Sequence, residues 1–313
     1  MWQKVMVKRK VFISTSTFGM GDPAPIKALQ DAGFDVILNP FKRKLTKEES
    51  ISLLAGVEGL IAGLEVLDEQ VLAESQLKVI SRCGAGLSNV DLEAAKRLNI
   101  QVFSTPDAPT VAVAELTVGV MLSLIRSIPQ VNQQMHAGQW HKMMGSQMAG
   151  KTITILGFGR IGRKVADFLK PFQVNIIVVD PLVNKAEGVS CMALRDALPL
   201  ADIITVHVSG ETPLLGSDEF SLMKKGVCIL NAARGEVIDE KALIQALQTN
   251  KVAAAWCDVF DKEPYQGPLK EFPQVILTPH IGSYTEECRR AMEMQAAQHL
   301  ITAFQGSGCH AQQ

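Results

Sequence analysis

The sequence predicts an α/β protein built from two doubly wound parallel-sheet domains. Three observations predict it. Short apolar runs alternate with helix-length amphipathic segments almost from end to end. The runs are apolar on both faces, as strands of a parallel sheet covered by crossover helices must be. Finally, 313 residues suit two domains at roughly 100–200 residues each, and each would bury a core without staples.

Taken in order, the runs at 11–13, 35–38, 59–62, 78–80 and 101–103 read as strands of a first open sheet. A second series at 152–156, 175–179, 202–206, 227–230, 253–257 and 275–277 reads as a second sheet. Between them, 108–128 reads as one long apolar helix, flanked by Pro106, Pro109 and Pro129, that joins the domains or packs between subunits. A last helix over 285–304 follows the completed second sheet and could return to the first domain. The small, polar end at 306–313 reads as disordered.

Composition narrows the function classes. With 31 Lys+Arg against 32 Asp+Glu, the net charge of −1 offers no broad positive field for nucleic acid or an anionic membrane surface. The apolar stretch 111–125 contains Glu115 and falls short of the about 20 residues that a membrane span needs. Near the start, Ser14, Thr15, Ser16 and Thr17 interrupt the apolar run after Arg9-Lys10, which is unlike a signal h-region. The six cysteines form no C-x-x-C pair, an arrangement expected of reduced thiols in a cytoplasmic protein and of neither a zinc nor a disulfide framework.

The sharpest local signal is Gly157-Phe158-Gly159-Arg160-Ile161-Gly162, directly after the run 152–156 and opening a helix through Leu169. In that setting the first glycine permits a tight turn and the second admits a pyrophosphate to the backbone. The third lets helix and strand pack closely. Asp180 stands at the end of the next strand, where a carboxylate accepts hydrogen bonds from the adenine-ribose hydroxyls and repels a 2′-phosphate. No arginine follows in Pro181-Leu182-Val183-Asn184, so NAD is favoured over NADP.

Three polar segments follow later strands, at the edge where such sheets bind ligands. They are Asn231-Ala232-Ala233-Arg234-Gly235, Asp258-Val259-Phe260-Asp261-Lys262-Glu263-Pro264 and Thr278-Pro279-His280-Ile281-Gly282-Ser283. Singly, Arg234 could be a surface ion pair, Glu263 a solvated turn residue and His280 a capping histidine. Together, beside a nucleotide loop, they read as an electrophile, an orienting carboxylate and a general acid/base. Cys257 reads as a small buried hydrophobe, Trp140 as packing and Lys42-Arg43-Lys44 as a solvated charge run.

With these four motifs in this order, the chain resembles the D-isomer-specific 2-hydroxyacid dehydrogenase family over nearly its whole length. The resemblance implies a Rossmann NAD-binding domain, residues 105–284, inserted into a smaller flavodoxin-like substrate domain formed by residues 1–104 and 285–313. It implies that Arg234 holds the carboxylate and 2-oxo group of a small 2-oxo acid, that His280 transfers the proton, and that Glu263 hydrogen-bonds His280 and favours its protonated form. Implied cofactor contacts are Gly157, Gly159, Arg160, Ile161, Gly162, Asp180, His207, Ala232, Asp258 and Thr110, with Asp258 at the nicotinamide carboxamide. Cys83-Gly84-Ala85-Gly86-Leu87-Ser88-Asn89-Val90-Asp91 resembles the family's glycine-rich substrate loop, whose N–H groups at Ala85 and Gly86 would cradle the carboxylate. Ser88 stands where the family usually has Asp. A homodimer is implied as well.

By pattern the nearest resemblance is to phosphoglycerate dehydrogenases, aided by Ser14-Thr15-Ser16-Thr17-Phe18-Gly19. One segment departs from it. Many of those enzymes carry Arg-Ser-x-Thr after the third strand, whereas this chain has Gly63-Leu64-Glu65-Val66. Glu65 would repel a phosphate, and Lys42, Arg43 or Arg82 could compensate. The expected activity is NAD-dependent interconversion of a small 2-oxo acid and its D-2-hydroxy acid. The rivals are a phosphite-type dehydrogenase and an NAD-sensing, corepressor-like interaction protein.

Overall fold

The computed structural model describes residues 8–210 and 212–306. Within those residues the chain divides into two compact units, one drawn from Met1–Pro109 with Tyr284–Gln313 and the other from Thr110–Ser283. The expected disordered end is ordered at Gly306, which closes the last helix, and the rest of it lies outside the described residues.

The first unit alternates strand and helix: β1 (Lys10–Ile13), α1 (Ala24–Asp31), β2 (Asp35–Leu38), α2 (Lys47–Leu54), β3 (Gly59–Ala62), α3 (Glu69–Ala73), β4 (Val79–Arg82), α4 (Leu92–Arg97) and β5 (Gln101–Ser104). All five strands are parallel, in the order β2-β1-β3-β4-β5. The central strand β3 is buried along its whole length, as its unbroken small and apolar residues require. Polar side chains set the helix starts. Thr46 and Glu49 form a reciprocal capping box on α2, while Asp68 and Asp91 accept the third-residue N–H of α3 and α4. Each such cap contributes about 1 kcal/mol.

The chain then forms α5 (Pro109–Ile125), close to the helix expected over 108–128, and α6 (Ile128–His136), which the sequence pattern does not announce. They are bent by 64° at a break where Ser127 takes φ 51°, and Pro129 sits in the first turn of α6. Proline there lacks only an N–H that a helix start leaves unbonded anyway, so it opens a helix rather than ending one. The second unit continues with β6 (Thr152–Leu156), α7 (Arg160–Leu169), β7 (Asn175–Val179), β8 (Ser190–Cys191), α8 (Leu194–Ala197), β9 (Ile203–Val206), α9 (Ser217–Leu222), β10 (Val227–Asn231), α10 (Glu240–Gln248), β11 (Val252–Cys257) and β12 (Val275–Leu277). These seven parallel strands lie in the order β12-β11-β10-β9-β6-β7-β8. The edge strand β8 is two residues long and has no apolar run to announce it. One hydrophobic cluster gathers Leu198, Phe220, Leu243 and Leu247, and another gathers Met121, Leu124, Val165, Leu169 and Trp256. Each large side chain buried in this way contributes about 1.5–3 kcal/mol.

Trp140, expected to pack, stands 81% exposed in an irregular stretch that also exposes Met143 and Met144. Among the described residues no single helix is long and apolar enough to cross a membrane.

The last helix, α11 (Glu286–Gly306), belongs to the first unit and packs on α1, β3 and β4. Gly59 makes that approach possible, because a Cβ there would lie 3.0 Å from the Phe304 ring. Along α11, Glu293 is 3% exposed and accepts from Gly19 N at 2.8 Å and from Arg289 at 2.6 Å. Arg289 also donates to Thr17 Oγ1 at 3.0 Å, tying the loop after β1 to the C-terminal helix. Glu293→Ala strands both donors in a buried place, and its expected loss of about 3 kcal/mol should appear as a lower urea midpoint. An unchanged midpoint would show that this tie does not hold α11 in place.

Candidate active site

The glycine loop follows β6, and each glycine there has a separate reason. Gly157 takes φ +90°, and a Cβ on it would lie 2.7 Å from the His207 and Val208 backbone. At Gly162 a Cβ would lie 2.1 Å from the Gly157 carbonyl, so α7 reaches the strand end only because that atom is missing. Gly159 caps α7 and has open space where its Cβ would be. An open cradle before the unbonded first-turn N–H groups of a ten-residue helix is where a pyrophosphate fits.

Asp180, at the end of β7, fixes this loop. Its carboxylate accepts from Phe158 N at 2.7 Å and from Leu182 N at 2.9 Å. Carboxylate oxygens have further lone pairs, so acceptance from ribose hydroxyls is still available. After β9, His207 places Nε2 2.9 Å from Thr205 Oγ1, and burial pushes its pKa down to about 3. Burial thus favours the neutral ring, which fits a lining role. Among the described residues, His207 Nδ1 and Thr110 Oγ1 are buried polar atoms with no hydrogen-bond partner, as positions that meet a cofactor would be.

The loop after β10 is held by a residue the motif contains but whose role the sequence reading missed. Asn231, 2% exposed, donates from Nδ2 to Arg234 O at 2.8 Å and accepts from Ala233 N at 3.0 Å. An Asn at a strand end that bonds backbone two residues on is the available signal. Arg234 follows, with Nη1 donating to Ala233 O at 2.7 Å. Next to it, a Cβ on Gly235 would lie 2.1 Å from the backbone of Phe260 and Asp261. The loops after β10 and β11 therefore touch backbone to backbone.

The loop after β11 supplies Asp258 and Glu263. Asp258 is 2% exposed and accepts from Thr278 Oγ1 at 2.5 Å, Ile281 N at 2.9 Å and Gly282 N at 2.8 Å. Three donors from the loop after β12 thus converge on one carboxylate, which positions the loop carrying His280. That is a different principal task from the carboxamide contact the resemblance implies. His280 itself sits at φ +53°, an uncommon conformation for a histidine, with its N–H on Thr278 O at 2.9 Å.

Glu263 Oε2 lies 3.0 Å from His280 Nδ1, and Oε1 accepts from Phe260 N at 3.2 Å. Burial by itself would raise the Glu263 carboxyl. The hydrogen bond and charge of His280, the Phe260 N–H and the charge of Arg234 outweigh it and hold the carboxyl below its usual range. Glu263 therefore stays ionised beside the ring, and the contribution of its ionised form to stability is lost only as pH falls through that lowered value. The ring is 39% exposed, and among the described residues its Nε2 has no hydrogen-bond partner.

Residues 118–282 match the NAD-binding domain of the D-isomer specific 2-hydroxyacid dehydrogenases. The chain belongs to this family. D-3-phosphoglycerate dehydrogenase of Homo sapiens is 40% identical over 310 residues, covering 95% of this chain and 57% of that protein. The enzyme of the same name from Methanocaldococcus jannaschii is 40% identical over 276 residues, covering 84% and 52%. The chain thus spans about half the length of the curated relatives it matches. A solved glyoxylate reductase from Paecilomyes thermophila is 28% identical, with a TM-score of 0.85 over 95% of this chain and 96% of that one.

In this chain Arg234, Asp258, Glu263 and His280 all lie in loops that leave the carboxyl ends of β10, β11 and β12 of one sheet. Gly157, Gly159, Arg160, Ile161, Gly162, Asp180 and His207 cluster around the ends of β6, β7 and β9, and Ala232 sits in the loop after β10. Ala85 and Gly86 belong to the first unit, where among the described residues their N–H groups make no hydrogen bond. Cys257 is buried, and that burial pushes its thiol up to about 12, so it behaves as the small hydrophobe expected.

The glycine geometry separates two kinds of substitution. Gly159→Ala should leave the melting temperature unchanged while weakening NADH binding about tenfold or more, read by quenching or calorimetry. Gly162→Ala should instead destabilise the fold by about 2 kcal/mol, because the added methyl has backbone to displace. Equal effects of the two on stability would contradict these assignments.

Proposed function

We propose that the chain interconverts a small 2-oxo acid and its D-2-hydroxy acid with NAD as the hydride carrier. The observation that carries this reading is the 3.0 Å pair of Glu263 and His280 Nδ1, in loops beside the one that carries Arg234. In the reductive direction Arg234 offers its planar fork to the substrate carboxylate and 2-oxo oxygen. Glu263 accepts the Nδ1–H, which leaves Nε2–H to donate a proton to the carbonyl oxygen as C2 is reduced. NAD, when bound along the glycine loop, supplies or removes the hydride. By accepting from Nδ1, the Glu263 carboxylate fixes the orientation and tautomer of the ring.

A second copy of the chain is the partner this reading expects. Ile128 (49% exposed), Met135 (52%), Trp140 (81%) and Met144 (98%) present large apolar side chains on and just after α6. An exposed apolar group of this size is characteristic of an interface. Sedimentation of the wild type should give a dimer, and a monomer would remove this part of the reading. The cytoplasm is the expected compartment, since the five described cysteines are free thiols and such thiols persist under reducing conditions.

The test is NADH consumption over a panel of 2-oxo acids. His280→Ala should depress turnover by about a hundredfold to ten-thousandfold. Glu263→Gln should lower turnover less than His280→Ala does, because the amide oxygen can still accept from Nδ1 while carrying no charge. Undiminished activity in His280→Ala would sink the mechanism. Phosphite oxidation without 2-oxo acid reduction would move the reading to a phosphite-type enzyme. NADH-dependent partner capture with no turnover would move it to a sensor.

A further inference from the structure

The first unit has a switch point of its own. In the order β2-β1-β3-β4-β5 the connections from β1 and β3 depart toward opposite edges. The crevice beyond the carboxyl ends of those two strands is where such a sheet receives a ligand. There the N–H of Gly63, directly after β3, donates to the hydroxyl oxygen of Ser14, directly after β1, at 2.8 Å, and the Ser14 hydroxyl is left to donate onward. Hydroxyl and backbone N–H groups gathered at a strand end suit an anion.

Glu65 already fills that place. It is 2% exposed, and its Oε1 lies 2.5 Å from Ser14 Oγ and 3.1 Å from Gly63 N, with Oε2 3.2 Å from the same nitrogen. Beside it Thr15 Oγ1 is a buried hydroxyl without a partner among the described residues. A Cβ on Gly63 would lie 3.4 Å from that hydroxyl and 3.1 Å from Glu65 Oε2. Burial pushes the Glu65 carboxyl up, and Ser14, the backbone N–H groups and the Arg82 charge do not reverse it.

The segment that carries Glu65 is also fastened to the loop after β4. Asn89 Nδ2 donates to Glu65 O at 2.6 Å and to Gly63 O at 3.3 Å, and Leu67 N donates to Asn89 O at 2.8 Å. That loop presents the N–H groups of Ala85 and Gly86. The nearby cations do not cancel the carboxylate, although the Arg82 charge acts on it. Arg43 gives both terminal nitrogens to Glu49, and Arg82 donates to Cys83 O while lying against Gly84.

We propose that Glu65 is a specificity-determining residue, filling the anion subsite of this crevice from within, so that the chain takes small 2-oxo and 2-hydroxy acids lacking a phosphate group and rejects their phosphorylated counterparts. The inference rests on the 2-oxo acid reading above and on the substrate carboxylate meeting Ala85 and Gly86. A phosphate reaching the crevice would have to displace a buried carboxyl from its donors, and wherever that carboxyl is ionised it would also face it as a like charge, which is discrimination by occupancy and repulsion.

Steady-state NADH oxidation with hydroxypyruvate and with 3-phosphohydroxypyruvate tests this in the wild type, Glu65→Ser and Glu65→Gln. The wild type should favour the unphosphorylated acid by about tenfold or more in kcat/KM, and Glu65→Ser should narrow that ratio by about tenfold. A wild type that prefers the phosphorylated acid, or an unchanged ratio in Glu65→Ser, overturns the assignment. Where Glu65→Ser does not fold, the wild-type preference and Glu65→Gln, which keeps the shape and removes the charge, carry the same comparison. If no 2-oxo acid is reduced at all, the proposed function fails, and binding still decides the subsite. Inorganic phosphate and 3-phosphoglycerate should then raise the Tm of Glu65→Ser and leave the wild type unmoved, and equal shifts overturn the assignment.

Discussion

Asp258 is the pin on which the catalytic edge of the second unit turns. A carboxylate buried to 2% exposure is expensive unless donors surround it, and here one hydroxyl and two backbone N–H groups do so. The hydroxyl belongs to Thr278, which in turn accepts from the indole nitrogen of Trp256 at 2.8 Å. Trp256 is a wholly buried side chain of β11. The conformation at His280 is thus wired through Thr278 and Asp258 into the middle of the sheet. Remove the carboxylate and three polar groups lose their partner at once, beside the one non-glycine residue of that loop held at positive φ.

Both units use the same edge of a parallel sheet and use it differently. In the second, side chains and loop backbones are drawn together and left available: Gly159 has open space, and His280 keeps one ring nitrogen without a partner among the described residues. In the first, Ala85 and Gly86 keep their N–H groups available, whereas Ser14 and Gly63 are occupied by Glu65. The contrast comes from chemistry more than from topology, since both crevices lie beyond carboxyl strand ends.

Much of this was legible in the sequence because period and punctuation agreed. β6, β7 and β12 fall where their apolar runs do, and Gly157-Phe158-Gly159-Arg160-Ile161-Gly162 announced α7. Arg234, Glu263 and His280 were visible because each follows a buried strand directly. What stayed hidden depends on contacts that local pattern does not encode. The break between α5 and α6 needs Ser127 at positive φ, which no apolar periodicity reports. β8 is too short to have a period. Trp140 was assigned to packing because an indole usually buries itself, and composition alone does not say against what. The structural partners of Asp258 lie some twenty residues downstream, at Thr278, Ile281 and Gly282, where local pattern does not reach. The burial of Glu65 follows from Ser14, which is 51 residues away in the chain.

Gly235 couples two segments that are distant in sequence. Its absent side chain lets the Arg234 loop rest on the backbone of Phe260 and Asp261, 2.1 Å from where a Cβ would stand. Neither loop can acquire a methyl at that point without pushing on the other, and the other carries Glu263. The spacing between Arg234 and Glu263 is therefore set at a single contact between two backbones, and a disturbance in either loop is felt in its neighbour.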